Sequence, residues 1–465
     1  AGRKDIAVGS GVTSVALSDT GISGEVSLDW SNATLAYTLN NPNPFGTSDR
    51  DFFGYSVAIS GDYAIVGARG EDDSGGTTSG KAYIYNVTTG VEVHTLNNPN
   101  PYGTSEDDYF GHSVAISGDY AIVGAHGEDD ATGVNYSGKA YIYNVSTGAL
   151  VHTLNNPTAF GTSNFDIFSY SVAISSDYAI VGAYAEDDSG GTSSGKAYIY
   201  NVATGALVHT LDNPNAYGTS DSDDFGRTVA ISDNYAIVGA WSEDDAGGET
   251  SGKAYIYNAT TGALVHTLNN PNPDGILVPN GDVFGLTLAI SGDYAIVGAM
   301  REGDGSGGDN SGKAYIFNVI TGTLVHTLDN PNPVGTTQED YFGSAVAIEG
   351  NYAIVGASSE DDSGGNNSGK VYIFDVTTGL LVHTLDNPNA YGTSAGDSIG
   401  GSVAISGGRV IVGAHAEDEV GNSSSGKSYI FSAPIPVASA SGEEMYVLKT
   451  GSNTITQYTL STPGD

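Results

Sequence analysis

The chain contains no cysteine, which excludes both disulfides and thiolate metal sites. Cations are also scarce: 15 Lys and Arg against 54 Asp and Glu give a formal net charge of −39. Binding of nucleic acid or of an anionic membrane depends on Lys and Arg, so this charge argues against both partners. No apolar run approaches the roughly 20 residues that span a bilayer, so we expect no membrane insertion. The chain starts at Ala1 without a signal-like segment, and we expect it to be a piece of a longer polypeptide.

What the sequence does have is glycine and a repeated apolar phrase. There are 66 glycines among 465 residues, about twice the usual share. Hydrophobic residues make up 39% of the chain, which is enough for a core and argues against general disorder. The phrase YAIVGA or a close variant occurs seven times, 57 to 59 residues apart, with its glycine at Gly67, Gly124, Gly182, Gly239, Gly298, Gly356 and Gly413. A fixed period of this length indicates a propeller, a solenoid or an array.

Each repeat reads as four short strands, called A to D. In the first repeat these are Tyr55–Ser60, Tyr63–Ala68, Lys81–Tyr85 and Val91–Leu96. β-Branched and aromatic residues dominate the runs, and turn residues separate them. One such sheet cannot bury both faces alone, whereas seven arranged radially can. The sequence therefore predicts an all-β fold, a seven-bladed β-propeller of four-stranded antiparallel blades.

The seventh repeat lacks its own strand D, because Ala433 and two nearby prolines follow strand C. Near the N-terminus, Leu35–Leu39 (LAYTL) matches the strand D pattern. We therefore expect an N-terminal strand to close the ring. The predicted domains are an N-terminal extension (1–34), the propeller (35–432) and a C-terminal extension (433–465) that starts another β repeat domain.

Two short motifs resemble FG-GAP repeats, which form the propellers of integrin α-subunits and of many microbial and viral surface proteins. Gly-Ala follows strand B, and Phe-Gly precedes strand A at Phe53, Phe110, Phe225, Phe284 and Phe342. The third repeat has Phe168-Ser169 and the seventh Ile399-Gly400. The integrin-type calcium loop between strands A and B is absent, since only Ser60-Gly61-Asp62 or its equivalent stands there. The segment 444–463 resembles a different propeller repeat, found in marine phage and bacterial surface proteins.

The acidic residues gather in the loops between strands B and C and between strands D and A, which lie on one face of such a propeller. Carboxylates with nearby carbonyls are ligands suited to Ca²⁺. This interpretation assigns a calcium site to Asp72, Asp73, Asp129, Asp130, Asp187, Asp188, Asp244, Asp245, Asp361 and Asp362. The alternative is a solvated face whose acids pair locally with seven equivalent lysines, Lys81, Lys139, Lys196, Lys253, Lys313, Lys370 and Lys427.

Two positions vary among the otherwise similar repeats: the residue after VGA and the residue after Phe-Gly. In the first four repeats both positions are aromatic or cationic, and both should lie on the acidic face near the channel mouth. Aromatic rings beside polar groups suit a sugar or a protein partner. The candidate ligand-binding residues are Tyr55, Arg69, His112, His126, Tyr170, Tyr184, Arg227 and Trp241. The alternative is neutral drift or local packing.

Six histidines share one strand D position, and Tyr37 is their N-terminal counterpart. Strand D is the outermost strand, so we expect packing residues rather than a metal ring. No motif of a nucleophile, a zinc protease or a phosphate-binding loop is present, and the acids follow the repeat rather than break it. We therefore expect no enzyme activity.

These features predict a non-catalytic recognition or adhesion module of a larger virion or microbial surface fibre protein. It would be extracellular and would bind a glycan or a partner protein through its acidic loop face, with Ca²⁺ as the candidate cofactor. The alternative is a structural subunit or spacer of an extracellular filament, self-associating through its terminal strands.

Overall fold

The computed structural model describes residues 4–7, 14–16, 25–42, 50–72, 76–99, 106–129, 136–157, 165–187, 192–214, 222–244, 250–272, 281–303, 310–331, 339–361, 366–388, 396–418, 423–434, 444–448 and 454–459. Within these ranges, no helix is long and apolar enough to cross a membrane.

The elements follow one another with a regular period. The first ones are β1 (Lys4–Ala7), β2 (Ser14–Ala16), β3 (Glu25–Ser27), a 3-10 helix (Trp30–Asn32) and β4 (Thr34–Asn40). The seven blades come next, each in the order A to D. Blades one to four are β5 (Phe53–Ser60), β6 (Tyr63–Ala68), β7 (Lys81–Asn86) and β8 (Val91–Asn97); then β9 (Val114–Ser117), β10 (Tyr120–Ala125), β11 (Lys139–Asn144) and β12 (Leu150–Asn155); then β13 (Val172–Ile174), β14 (Tyr178–Ala183), β15 (Lys196–Asn201) and β16 (Leu207–Asp212); and then β17 (Thr228–Ser232), β18 (Tyr235–Ala240), β19 (Lys253–Asn258) and β20 (Leu264–Asn269). Blades five to seven are β21 (Thr287–Ser291), β22 (Tyr294–Ala299), β23 (Lys313–Asn318) and β24 (Leu324–Asp329); then β25 (Phe342–Glu349), β26 (Tyr352–Ala357), β27 (Lys370–Asp375) and β28 (Leu381–Asp386); and then β29 (Ser402–Ser406), β30 (Arg409–Ala414) and β31 (Lys427–Ser432). The last strands are β32 (Glu444–Leu448) and β33 (Thr454–Thr459).

The blades form a closed ring. Each is an antiparallel four-stranded sheet, and the A strands of neighbouring blades contact one another all the way round. β4 supplies strand D of the seventh blade, pairing antiparallel with β31 so that Leu39 lies opposite Ser428 and Tyr37 opposite Ile430. The predicted seven-bladed fold and its closure by an N-terminal strand are confirmed. Outside the ring, β33 pairs with both β1 and β32, and β2 pairs with β3.

The hydrophobic core lies between blades rather than within them. Ile65 and Ile84 of the first blade pack with Phe110 and Tyr141 of the second. Val66, the neighbour of Ile65, points the other way and packs in the core shared with the seventh blade. Strands B and C are therefore buried on both faces, which is why YAIVGA is almost continuously apolar.

The two motif glycines allow neighbouring blades to approach closely. A Cβ at Gly67 would lie 2.0 Å from the carbonyl oxygen of Gly111 in the next blade. Gly111 itself has φ +86°, and a Cβ there would lie 2.3 Å from the carbonyl oxygen of Lys81. Both the contact and the backbone angle exclude a side chain at Gly111. The spacing between blades therefore depends on these glycines.

The strand D histidines join consecutive blades, as expected for packing residues. His94 Nε2 is 3.1 Å from the carbonyl oxygen of Ser146 in the turn between strands C and D of the next blade. Its ring lies against Gly148 of the same turn. The contact recurs for His152 with Ala203, His209 with Thr260 and His266 with Ile320. At the ring closure Tyr37 donates to the Thr88 carbonyl.

The segment before β4 belongs to the packed ring. Trp30 is 1% exposed and lies in the core of the sixth and seventh blades, where its ring meets Tyr352 edge-on at 6.0 Å. The hydroxyl of Tyr352 also donates to the Leu28 carbonyl at 3.2 Å. The packed unit therefore extends to Leu28, earlier than residue 35, where we placed the start of the propeller.

Candidate functional site

One face of the ring carries the loops between strands B and C and between strands D and A, and these loops interleave. In the loop that leads into the second blade, the backbone N–H of Phe110 donates to Ser79 of the preceding blade at 3.0 Å. In turn, the Asp108 carbonyl accepts from Gly127 of the second blade at 3.2 Å. Each D–A loop is thus fixed between two B–C loops, and side chains from adjacent blades meet on this face.

In six of the seven blades, the first acid of the B–C loop is buried in a triad with a lysine and a tyrosine from strand C. In the fourth blade, the fully buried Glu243 accepts from Lys253 Nζ at 2.5 Å and from Tyr255 Oη at 2.6 Å. Burial raises the pKa of Glu243, while the bonds from Lys253 and Tyr255 act to lower it. The same triad recurs as Glu71–Lys81–Tyr83, Glu128–Lys139–Tyr141, Glu186–Lys196–Tyr198, Glu360–Lys370–Tyr372 and Glu417–Lys427–Tyr429. These glutamates therefore hold the blade together. They pair with the lysines named in our alternative, but as buried groups and not on a solvated face.

The fifth blade breaks this pattern. Lys313 pairs with Asp329 instead, at 2.5 Å. The buried carboxylate of Glu302 accepts from Tyr315 Oη at 2.6 Å and from Asn272 Nδ2 at 2.8 Å. Burial is the largest cause that raises the pKa of Glu302 to about 7, and the nearby Asp282 adds to it. This carboxyl group changes its charge near neutral pH.

Five of the ten candidate calcium residues lie within the described ranges of the chain. Each of the five described aspartates is exposed, and its Oδ1 accepts a backbone N–H six or seven residues later, at 2.7 to 3.0 Å; these are Asp72, Asp129, Asp187, Asp244 and Asp361. Asp73, Asp130, Asp188, Asp245 and Asp362 lie outside the described residues. Within the described ranges, no group of three His, Cys, Asp or Glu residues could hold a metal ion.

A second set of aspartates, in the D–A loops, is buried as well. Asp108 is 2% exposed and accepts from Asn98 Nδ2 at 2.7 Å. The pair recurs as Asn41–Asp51, Asn156–Asp166, Asn213–Asp223, Asn270–Asp282, Asn330–Asp340 and Asn387–Asp397. Burial raises the pKa of Asp166 to about 7, and Glu186 contributes. Our sequence interpretation missed these pairs, although an Asn-Pro recurs after every strand D and marks the asparagine.

The eight candidate ligand-binding residues lie together at the mouth of the channel; we call them the aromatic–cationic cluster. At one end, the Arg69 guanidinium lies 3.7 Å from the centre of the Tyr55 ring, and its Nη1 is 3.4 Å from His112 Nδ1. The His112 ring lies 4.3 Å from that of His126 and 4.5 Å from that of Tyr170. The cluster therefore crosses from the first blade to the third without a gap.

The cluster continues into the fourth blade. Tyr170 meets Tyr184 edge-on, 4.8 Å between ring centres. Arg227 lies 4.8 Å from the Tyr170 ring, 4.7 Å from Tyr184 and 5.5 Å from Trp241. Arg227 Nη2 also donates to the Tyr170 hydroxyl at 3.3 Å.

The rest of the ring differs at the two variable positions. The seventh blade contributes His415, whose ring lies 5.5 Å from Tyr55. We did not select it, because Gly401 at the other variable position of that repeat is neither aromatic nor cationic. The other equivalents are small or aliphatic: Leu286, Met300, Ser344, Ser358 and Gly401. The mouth of the channel therefore has an aromatic and cationic side and a second side without rings or charge at these positions.

The histidines of the cluster are neutral. Burial, followed by His126 and Arg69, holds the pKa of His112 well below its ordinary value. Burial and Arg69 lower the pKa of His126 to about 3, and the same causes lower that of His415 to about 4. At neutral pH the positive charge of the cluster therefore comes from Arg69 and Arg227.

Comparison with known proteins gives one family. The FG-GAP repeat matches seven segments, residues 46–85, 101–143, 158–200, 215–257, 278–317, 334–374 and 389–431. Together these segments make up more than half of the chain, and each covers strands A to C of one blade. No curated protein matches the chain.

Proposed function

The chain belongs to the FG-GAP repeat family, whose propellers are commonly ligand-binding or adhesion-type modules, and on this premise we propose that it is a non-catalytic recognition module. It binds a glycan or a partner protein through the loop face. FG-GAP repeats usually occur in extracellular proteins, which supports an extracellular location. The larger protein is a surface fibre of a virion or a microbe.

The observation that carries this proposal is the asymmetry of an otherwise repetitive ring. Blades with nearly identical strands and triads differ at two positions, and at those positions four consecutive blades place aromatic and cationic side chains in one continuous cluster. His112 is buried, while Arg69, Tyr184 and Trp241 are only half-buried and can be reached from solvent. Aromatic residues and Arg are the side chains most enriched where binding energy is concentrated. The packing of the ring does not require aromatic or cationic residues at these two positions, because blades five and six pack into the ring without them.

The test is a glycan-array screen of the purified chain, followed by the variants Trp241→Ala and Tyr184→Ala. We expect binding that both variants abolish, with an unchanged melting temperature. The matched control is Met300→Ala, the position of Trp241 in the fifth blade. Binding that survives both cluster variants would overturn this location of the site.

Calcium binding is a separate part of the proposal and rests on the B–C loops. The described residues offer one exposed carboxylate per loop, whereas Ca²⁺ takes six to eight oxygen ligands. A site would therefore need oxygen atoms from the loop residues beyond the described ranges, such as Asp73. A melting temperature that rises in millimolar Ca²⁺ relative to EDTA would support it, and an unchanged one would end it.

A structural role is the second candidate. The outer strands expose aliphatic side chains at their free edges, such as Leu150, Leu207, Leu264 and Leu381, each 42% to 44% exposed. A free strand edge can pair with another chain. Electron microscopy of the purified protein distinguishes the roles, because a filament subunit should polymerise alone and a recognition module need not.

A further inference from the structure

The two arginines of the aromatic–cationic cluster differ from the lysines of the ring in having no counter-charge. All seven lysines of strand C form ion pairs: six with a buried glutamate and Lys313 with Asp329. Arg69 and Arg227, by contrast, form no ion pair with any carboxylate of the described residues. This occurs in a chain whose acids outnumber its cations by 54 to 15.

The guanidinium groups also have unused hydrogen-bond donors. A guanidinium carries five N–H donors. Among the described residues, Arg69 Nη1 lies 3.4 Å from His112 Nδ1, and Arg227 donates to the Tyr170 hydroxyl at 3.3 Å and to the Tyr184 hydroxyl, while Arg227 Nε is buried without a partner. Neither is extended into solvent like Arg50, because each lies over tyrosine rings. Packing against rings holds both planar groups in place while leaving N–H groups unpaired.

Resting on the recognition function proposed above, we propose that the cluster binds an acidic sugar, with Arg69 and Arg227 receiving its carboxylates. The planar fork of a guanidinium matches a carboxylate, to which it donates two parallel hydrogen bonds. The half-buried rings of Tyr184 and Trp241 beside Arg227 offer flat apolar surface to the C–H face of a pyranose. A sugar fits better than an acidic peptide because these rings would otherwise remain uncovered.

Asp224 tunes this site. It is half-buried and lies near Arg227 without an ion pair, and its carboxylate is 3.5 Å from the hydroxyl of Ser242. Its charge partly offsets that of Arg227 and repels an incoming carboxylate. The equivalent residues in the other blades are Phe52, Tyr109, Ile167, Val283, Tyr341 and Ser398, so only the fourth blade has a carboxylate at this position.

The experiment measures binding of trigalacturonate, with its fully methyl-esterified form as the matched neutral ligand. Titration calorimetry gives the affinity, and tryptophan fluorescence reports the location, since Trp241 lies in the cluster and Trp30, the second tryptophan, is buried on the opposite face. We expect submillimolar binding of the acid form and at least tenfold weaker binding of the ester. Arg69→Gln and Arg227→Gln each weaken binding about tenfold or more.

Three further variants test the specific geometry. Arg50→Gln removes an exposed charge from the same face and should leave the affinity unchanged within twofold. Arg227→Lys keeps the charge but loses the fork, so we expect it to remain at least threefold weaker than the parent. Asp224→Asn should bind severalfold more tightly. The melting temperature of each variant separates a lost site from a lost fold.

Each result bears on the proposal. Equal binding of acid and ester, or an equal loss with Arg50→Gln, overturns the carboxylate site, and so does the absence of binding at ten millimolar. Binding of a glutamate-rich peptide but not of trigalacturonate would make the ligand a protein and refute the sugar. If neutral glycans bind on the array and lose binding with Trp241→Ala, the recognition function stands while this inference fails.

Discussion

The broken triad of the fifth blade predicts that one chemical change has opposite effects on stability at two equivalent positions. The change is Glu to Gln at Glu302 and at Glu243. Both carboxylates are fully buried and bonded to a strand C tyrosine. Only Glu243 also has a lysine partner, because Lys313 of the fifth blade pairs with Asp329.

The size of each effect follows from the partners. The pKa of Glu302 is about 7 in the folded protein, against an ordinary value of 4.5. A raised carboxyl pKa means that the folded state resists ionisation, so stability falls as pH rises from about 4.5 to 7 and the cost is complete above that. One pKa unit corresponds to about 1.4 kcal/mol, so Glu302→Gln should gain up to about 3 kcal/mol at pH 8 and almost nothing at pH 4.5. Glu243→Gln leaves the buried Lys253 unpaired and should lose about 3 kcal/mol or more at pH 8.

The assay is urea unfolding of both variants and the parent at pH 8.0 and pH 4.5, followed by circular dichroism. The midpoint of Glu302→Gln should lie above that of the parent at pH 8.0 and converge with it at pH 4.5. The midpoint of Glu243→Gln should lie well below the parent at pH 8.0. If both variants lose the same stability at pH 8.0, the lysine does not distinguish the two blades, and the reasoning from the broken triad is wrong.

Three further predictions concern single residues. Asp166→Asn should be more stable than the parent at pH 8 and similar to it near pH 4, because burial raises the pKa of Asp166 to about 7. Thermal melts at the two pH values measure this, and a variant that is equally destabilised at both would contradict it. Gly111→Ala should lower the free energy of unfolding by several kcal/mol, because its Cβ would lie 2.3 Å from a backbone oxygen. Gly118→Ala, with φ +54° and nothing within 4 Å of its Cβ, should lower it by only about 1 kcal/mol. Similar losses of the two variants in urea unfolding would refute the close approach between blades. Trp30→Ala should lose about 3 to 5 kcal/mol, because Trp30 is 1% exposed in the core of the sixth and seventh blades, and calorimetry showing an unchanged melting temperature would exclude this packing role.

The sequence alone determined the architecture because its signals are local and repeated seven times. Runs of β-branched and aromatic residues, separated by turn residues, located the four strands of each blade. The number of times that YAIVGA or a close variant recurs gave the number of blades. The resemblance of Leu35–Leu39 to strand D identified the closing strand. The variable positions also predicted which side chains meet at the channel mouth, since equivalent positions in a ring lie side by side.

Only the tertiary structure decided which charges are buried. Glu71 and Asp72 are adjacent acids that look equally solvated, yet Glu71 turns inward to Lys81 and Tyr83 while Asp72 stays exposed. The burial of a carboxylate depends on the three-dimensional position of its partners, which the composition of a loop does not contain.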